Sequence, residues 1–254
     1  MGMDRTKAYR TEIIMSRRIL ITNDDGISAD GIRKLAEIAR GFGEVTVVAP
    51  DTQRSAASHH CIFNRPLILK AYDFSMDGVK AYTLDGAPAD CARVGIFAVS
   101  GIRPDIVLSG INHGYNISSD IQYSGTVGAA LEAAFLGVHA IAVSYGNFSF
   151  NATDIVDRCL PGLLEEYMEK PLPANQIWNI NIPDCTADEC RGIIRNAAMN
   201  TGYFYDDQYF MDQVGDQTWS VTNIARRNWT GPEGSDLQAV ISGYIAVGTV
   251  TNLT

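Results

Sequence analysis

Hydrophobic and polar positions along the chain follow two alternating periods. Short apolar runs rich in β-branched residues predict buried strands at Arg18–Thr22, Glu44–Ala49, Asp105–Ser109, Ala140–Ser144 and Ile177–Ile182, each too brief for a helix. Between them, apolar residues recur at helical spacing. Ile32, Leu35, Ala36 and Ala39 mark a helix over Ala29–Arg40, with Gly41 just past its end. Pro88–Val99, Ser124–Leu136 and Asp154–Tyr167 read as further helices. This alternation predicts an α/β fold with a Rossmann-like, mostly parallel sheet sandwiched by helices. Ile62–Leu69 and Val79–Leu84 depart from it and read as antiparallel strands, with Asp77-Gly78 as turn signal.

After about Pro183 the helical pattern disappears. Tyr, Phe, Trp, Val and Thr dominate from Gly192 to Val250, which predicts a β-rich C-terminal extension with a hairpin reaching away from the core. A strand pair with little core of its own often packs on a neighbouring subunit. The expected division is a core over residues 16–183 and a tail over residues 184–254, used in oligomerisation. The polar start Met1–Ile14 fits neither a strand nor an amphipathic helix. Residues 1–15 are expected to be disordered, or a non-native extension ahead of a natural start at Met15.

Composition narrows the function classes. The chain of 254 residues is 46% apolar and 19% charged, as expected of a globular protein. A net charge of −9 argues against binding to nucleic-acid duplexes. It leaves phosphate substrates open, because a bound cation reverses the local field. Five scattered cysteines, with no CxxC pair, suggest free thiols in a reducing compartment, hence the cytoplasm. No secretory signal or membrane span is visible; the most apolar stretch, Gly128–Val143, is broken by Glu132 and His139.

Candidate chemistry begins with Asn23-Asp24-Asp25-Gly26, directly after the first strand. Two adjacent carboxylates at a strand end repel and resist desolvation unless a cation offsets both costs. Gly26 lets the chain turn so that both converge on one point, which a hard divalent cation such as Mg²⁺ or Mn²⁺ can occupy. The plainer alternative is a turn with an Asp cap for the following helix. Ligands of open α/β sheets bind at the carboxyl ends of the strands. Three further loops are expected at that edge: Ala49–Ala56 with Ser55, Ser109–Asn116 with Asn112, and Tyr123–Gly128 with Ser124, Gly125 and Thr126. Taken alone, Ser55 reads as a loop or cap serine and Asn112 as a turn residue. Ser124-Gly125-Thr126 at a helix start suits either a phosphate or an ordinary N-cap. His59, His60 and His113 lie close enough in sequence to suggest a general acid, although surface or supporting roles fit His59 and His60 better. Tyr203, Phe204, Tyr205, Trp219 and Trp229 in the tail can stack on a nucleobase or pack at an interface.

Five motifs in order resemble the stationary-phase survival protein SurE family of nucleotidases. They are Ile21–Gly26, Val48–Asp51 with Arg54-Ser55-Ala56, Gly86–Cys91, Ser109–Asn112 with Gly114 and Asn116, and Ser124–Val127 with Ala130-Leu131-Glu132. Asn179–Pro183 is similar to the family as well, and the resemblance runs from about Arg17 to Val250. It implies one divalent metal ion per subunit (Mg²⁺ or Mn²⁺) held by Asp24, Asp25, Ser55 and Asn112, with Asp24 and Asn112 as catalytic candidates. Asn23, Asn116, Ser124, Gly125 and Thr126 are the expected phosphate-binding residues. It further implies hydrolysis of nucleoside monophosphates and a homodimer or homotetramer built through the tail.

Two rival readings stand beside this one. An acid phosphatase with an aspartyl-phosphate intermediate usually spaces its two Asp by one residue, whereas Asp24 and Asp25 are adjacent. A non-enzymatic nucleotide-binding module on a Rossmann-like sheet would bind without hydrolysis; neither G-x-G-x-x-G after the first strand nor a P-loop motif is present.

Overall fold

The structure is a computed structural model and describes residues 17–99, 101, 103–147, 154–202 and 204–252. The expectation for residues 1–15 lies outside that range. In chain order the elements are β1 (Arg17–Thr22), α1 (Asp30–Ala39), β2 (Gly43–Pro50), β3 (Leu69–Ala71), β4 (Lys80–Leu84) and α2 (Pro88–Val94). There follow β5 (Ile106–His113), α3 (Asp120–Tyr123), α4 (Gly125–Phe135), β6 (His139–Tyr145), α5 (Asp154–Met168) and β7 (Gln176–Ile182). The remainder contributes β8 (Ile193–Arg195), β9 (Tyr205–Asp206), β10 (Tyr209–Gly215), β11 (Thr218–Asn223), β12 (Arg226–Arg227), α6 (Asp236–Ile241) and β13 (Ile245–Thr251).

Among the described residues, nine strands form one sheet in the order β3-β4-β2-β1-β5-β6-β7-β13-β8. The six from β4 to β7 are mutually parallel, as the βαβ alternation predicts. β3 and β13 join the two sides antiparallel, and β8 adds parallel to β13. Successive strand residues point to opposite faces. Ile19, Ile21, Val45 and Val47 therefore pack with Leu35 of α1 and Leu160 of α5. Leu20, Val48 and Val107 pack on the other face with Ala130 and Ala133 of α4. The strand order runs from β1 through β2 to β4 on one side and through β5 and β6 to β7 on the other. The reversal opens a crevice beyond the carboxyl ends of β1 and β5.

Two local expectations are corrected, and a third, the helix over Pro88–Val99, holds with a change of helix type. Ile62–Leu69 is not a strand. Its main-chain donors go to acidic side chains, Ile62 to Asp90 and Ile68 to Asp85, and only Leu69–Ala71 pairs with β4. The helix from Pro88 ends at Val94 and continues as one wide π-helical turn over Gly95–Val99. The stretch after Pro183 does contain a helix: in α6, Ser235 caps the start by accepting a hydrogen bond from the Gln238 N–H. The expected hairpin is present as β10 and β11, which pair with each other and are exposed along their whole length.

Candidate functional site

A cavity of about 760 Å³ opens at the β1/β5 crevice, and Asp24, Asp25, Ser55, Asn112, Asn116 and Ser124 all line it. Four loops far apart in sequence thus meet at one place. The peptide N–H of Arg54 donates to the Asp24 carbonyl at 2.7 Å, and that of Ile27 donates to the Pro50 carbonyl at 3.0 Å. These bonds lace the turn after β1 to the loop that carries Ser55. Gly26 sits at φ +95°, where other residues are strained, so the turn depends on it. Helix α1 begins at Ala29 with no side-chain cap. The pair of aspartates therefore does not serve that helix as a cap.

Asp24 is buried at 6% exposure. Its Oδ1 accepts a hydrogen bond from the Thr126 hydroxyl at 2.6 Å. The same hydroxyl lies 3.5 Å from the amide oxygen of Asn112, so Thr126 stands between the two. Asn112 is turned by its own Nδ2, which donates to the Gly114 carbonyl at 2.9 Å, with Oδ1 on the Thr126 side. Asp25 is half-buried; its carboxylate accepts from the His113 N–H at 3.2 Å and from the Gln53 amide at 3.3 Å. Burial first, and the Asp25 charge second, push the Asp24 carboxyl from 3.8 up to about 6 despite the Thr126 bonds.

Three residues expected at a phosphate do not line the cavity. Asn23 is fully buried, and its amide donates to the Gly26 carbonyl at 2.9 Å, which fastens the turn. Thr126 is also fully buried, with its hydroxyl and peptide group directed at Asp24. A Cβ on Gly125 would lie 2.8 Å from that of Asp24, so the glycine lets the start of α4 approach the carboxylate. For Gly125 and Thr126 the physical reason is shared: a buried carboxylate must be supplied with donors, and the helix start supplies them to Asp24. Ser124 does line the cavity while its Oγ caps α4 by accepting from the Val127 N–H at 3.0 Å.

His113 is at the cavity wall, whereas His59 and His60 are not. His59 lies 2.6 Å from Glu132 of α4, which also contacts Arg93. Burial pushes the Glu132 carboxyl up, but the hydrogen bonds with His59 and Arg93 together hold it below the usual range. Gly128, whose Cβ would fall 2.4 Å from the Ser58 carbonyl oxygen, lets the Ser55 loop lie directly on α4. Of the tail aromatics, Tyr205 reaches the cavity, Phe204 is buried, and Trp229 packs edge-on against Phe204 and Tyr115. Trp219 is exposed on the hairpin, and Tyr203 lies outside the described residues.

Sequence reasoning missed the outer wall. Tyr209, Asn223 and Arg227 from the tail, with Tyr115, Asp120 and Tyr123, complete the lining. The two-residue strands β9 and β12 bring them there by pairing Tyr205 with Arg227. Such short strands leave no periodic signal. Tyr205 also donates to Asp120, which fastens the tail to the start of α3. Burial raises the Asp120 carboxyl, and burial together with Asp120 raises the Tyr205 hydroxyl to about 12.

The donor set suits a small hard cation. Two carboxylates, a hydroxyl and an amide oxygen converge, and the buried charge of Asp24 lacks a cationic side chain among its bonded partners. Among the described residues no three His, Cys, Asp or Glu side chains gather into a metal site. Neutral oxygens therefore have to complete any coordination shell here.

Comparison with known proteins gives a consistent picture. The family model described as "Survival protein SurE" matches residues 19–203. The chain is 40% identical over 235 residues to a protein of Thermoanaerobacter sp. (strain X514) named 5'-nucleotidase SurE, covering 91% of this chain and 90% of that one. A protein of the same name from Carboxydothermus hydrogenoformans is 45% identical over 186 residues, 69% of this chain and 68% of that one. The crystal structure of the SurE protein from Aquifex aeolicus superposes with a TM-score of 0.79 at 32% identity, covering 93% and 94% of the two chains.

Proposed function

The chain belongs to the SurE family, and from that membership we propose that it is a metal-dependent phosphomonoesterase that hydrolyses nucleoside monophosphates to nucleoside and phosphate. The observation that carries this reading is the convergence of Asp24, Asp25, Ser55 and Asn112 on one cavity at the sheet's crossover point. These four residues would hold one Mg²⁺ or Mn²⁺ ion per subunit. When bound, such an ion polarises a phosphoryl oxygen and acidifies a water molecule. The Asp24 carboxylate, which the Thr126 hydroxyl fixes through Oδ1, would orient or deprotonate the attacking water. Asn112 holds its amide oxygen toward the same centre. Asn116 and Ser124 face the phosphoryl oxygens, while Asn23, Gly125 and Thr126 shape and supply Asp24. Tyr115, Tyr123 and Tyr205 offer flat faces to the nucleoside.

Assembly follows from the hairpin. Phe210, Met211, Val214, Trp219 and Val221 are all about half or more exposed, and a hairpin without a core needs a partner surface. The reading is a homodimer or homotetramer joined through the tail. The five cysteines are free thiols, which fits the reducing cytoplasm. Among the described residues, no helix is long and apolar enough to cross a membrane.

The test is phosphate release from a panel of nucleoside monophosphates with Mn²⁺ or Mg²⁺, against a chelator-treated sample and an Asp24→Asn control. Release that needs the cation and is lost in the variant is expected. Nucleotide binding without release would favour a regulatory module instead.

A further inference from the structure

Strand β7 carries an anomaly. Its sequence alternates, so Trp178, Ile180 and Ile182 enter the core beside α5. On the opposite face stand Ile177, then Asn179 and Asn181, two carboxamides buried at 4% and 1% exposure. Buried amides are costly unless bonded. Their bonds go to one residue. Both Nδ2 atoms donate to the Asn116 carbonyl, at 2.9 Å from Asn179 and 3.0 Å from Asn181. Asn181 Oδ1 accepts from the Asn116 N–H at 2.8 Å. The main chain of Asn116 is thus gripped by side chains.

The side chain of Asn116 is held as well, since its Nδ2 donates to Ser144 Oγ of β6 at 2.9 Å. Asn112, Ser144 and Asn181 stand level with one another across β5, β6 and β7. The candidate metal ligand and both supports of Asn116 therefore share one row of the sheet. Asn116 itself lines the cavity, and Ser144 takes one of its two amide hydrogens.

We propose that Asn179, Asn181 and Ser144 are positioning residues that hold Asn116 in place for a phosphoryl oxygen; this rests on the nucleotidase reading. A phosphate-facing group works only if its position is fixed before the ligand arrives. The grip from a rigid central strand gives that to a loop residue. Among the described residues the side-chain hydrogen bonds of Asn179, Asn181 and Ser144 run to Asn116 and not to the side chains of Asp24, Asp25, Ser55 or Asn112, so the grip is exerted on Asn116.

The test is a double-mutant cycle. Asn181→Asp keeps the acceptor for the Asn116 N–H but sets an oxygen against its carbonyl. In Mn²⁺ it should weaken inhibition by inorganic phosphate about tenfold and lower kcat/KM by a similar factor. The Mn²⁺ concentration for half activation should stay unchanged. In an Asn116→Ala background the same substitution should leave the phosphate constant where it was. Ser144→Ala is a gentler second arm and decides alone if Asn181→Asp does not fold. A merely structural role would lower Tm and the active fraction with KM and the phosphate constant unmoved, and would overturn the proposal. Additive effects in the Asn116→Ala background would overturn it too. If the wild-type chain releases no phosphate, the nucleotidase reading fails on its own, and the cycle is read by calorimetric binding of inorganic phosphate with Mn²⁺. Coupling there upholds the positioning; additivity, or no binding, refutes it.

Discussion

Replacing Asp24 by Asn should stabilise the metal-free protein while removing its activity. The folded state holds the Asp24 carboxyl at about 6 instead of 3.8, a shift of about two units, or roughly 3 kcal/mol against the ionised form. A carboxyl with a raised folded pKa binds its proton more tightly in the folded state. Stability is therefore lost as pH rises from about 4 to about 6, and the full penalty applies at pH 7. Asn carries no charge and can still accept the Thr126 hydroxyl bond. For a chain of this size each kcal/mol moves Tm by roughly 2–4 °C, so the variant should melt about 6–12 °C higher at pH 7 in chelator.

Two controls give the reasoning its edge. Below pH 4 both proteins carry a neutral side chain, and the difference should close. With saturating Mn²⁺ the wild type gains from binding, about 2.7 kcal/mol at a hundredfold excess over Kd, and the variant does not. Thermal and urea unfolding at pH 4 and 7, with and without the ion, measure all of this. A variant that melts lower than wild type at pH 7 in chelator would refute the argument. So would a gap that does not change with pH, because the cause would then not be a buried charge.

Gly125→Ala places a Cβ 2.8 Å from that of Asp24; phosphate release should fall at least tenfold, by the displacement of a reacting group, with the helix start retained by circular dichroism. Met211 and Val221 face each other across the hairpin and are both exposed; changing both to Lys should dissociate the assembly, seen as a smaller mass in light scattering, with the fold of the sheet unchanged.

The sheet was legible because it depends on short-range patterns, whereas the choice of Asp24, Asp25, Ser55 and Asn112 as metal ligands came from the resemblance to the SurE family. Ile19-Leu20-Ile21 feeds both cores of the sheet, and alternation alone says so. The loops holding Asp24, Ser55 and Asn112 end parallel strands, so their meeting follows once the sheet is parallel. What was not legible arose from competition for hydrogen bonds. Asn23 and Thr126 have the right chemistry for a phosphate, but the turn and the buried Asp24 claim their donors first. Spacing cannot reveal which of two acceptors wins. Helix α6 was readable in principle, because Ser235 and Gln238 have the spacing of a capping box. The aromatic and β-branched residues around it masked that signal.

The same competition explains why the supporting residues hid in plain sight. Asn179 and Asn181 interrupt an apolar alternation, and an interruption on a fully buried strand is tolerated only if something demands it. Here the demand comes from a loop that has no ladder of its own. Between β5 and α3 the chain crosses the end of the sheet, and Asn116 finds its main-chain partners in side chains from β7. Ser118 and Asn200 do the same farther along through the Asp236 carboxylate. The cavity thus has an inner wall fixed by the sheet and an outer wall fixed by the tail. The inner wall carries Asp24, Asn112, Asn116 and Ser124, and the sheet tolerates buried polar residues to keep it rigid. The outer wall hangs on the bond between Tyr205 and Asp120 and on two short strands, so it can vary in side chains without disturbing the chemistry. Preference among nucleosides should accordingly reside in the tail, and the capacity to hydrolyse any of them in the inner wall that carries Asp24 and Asn112.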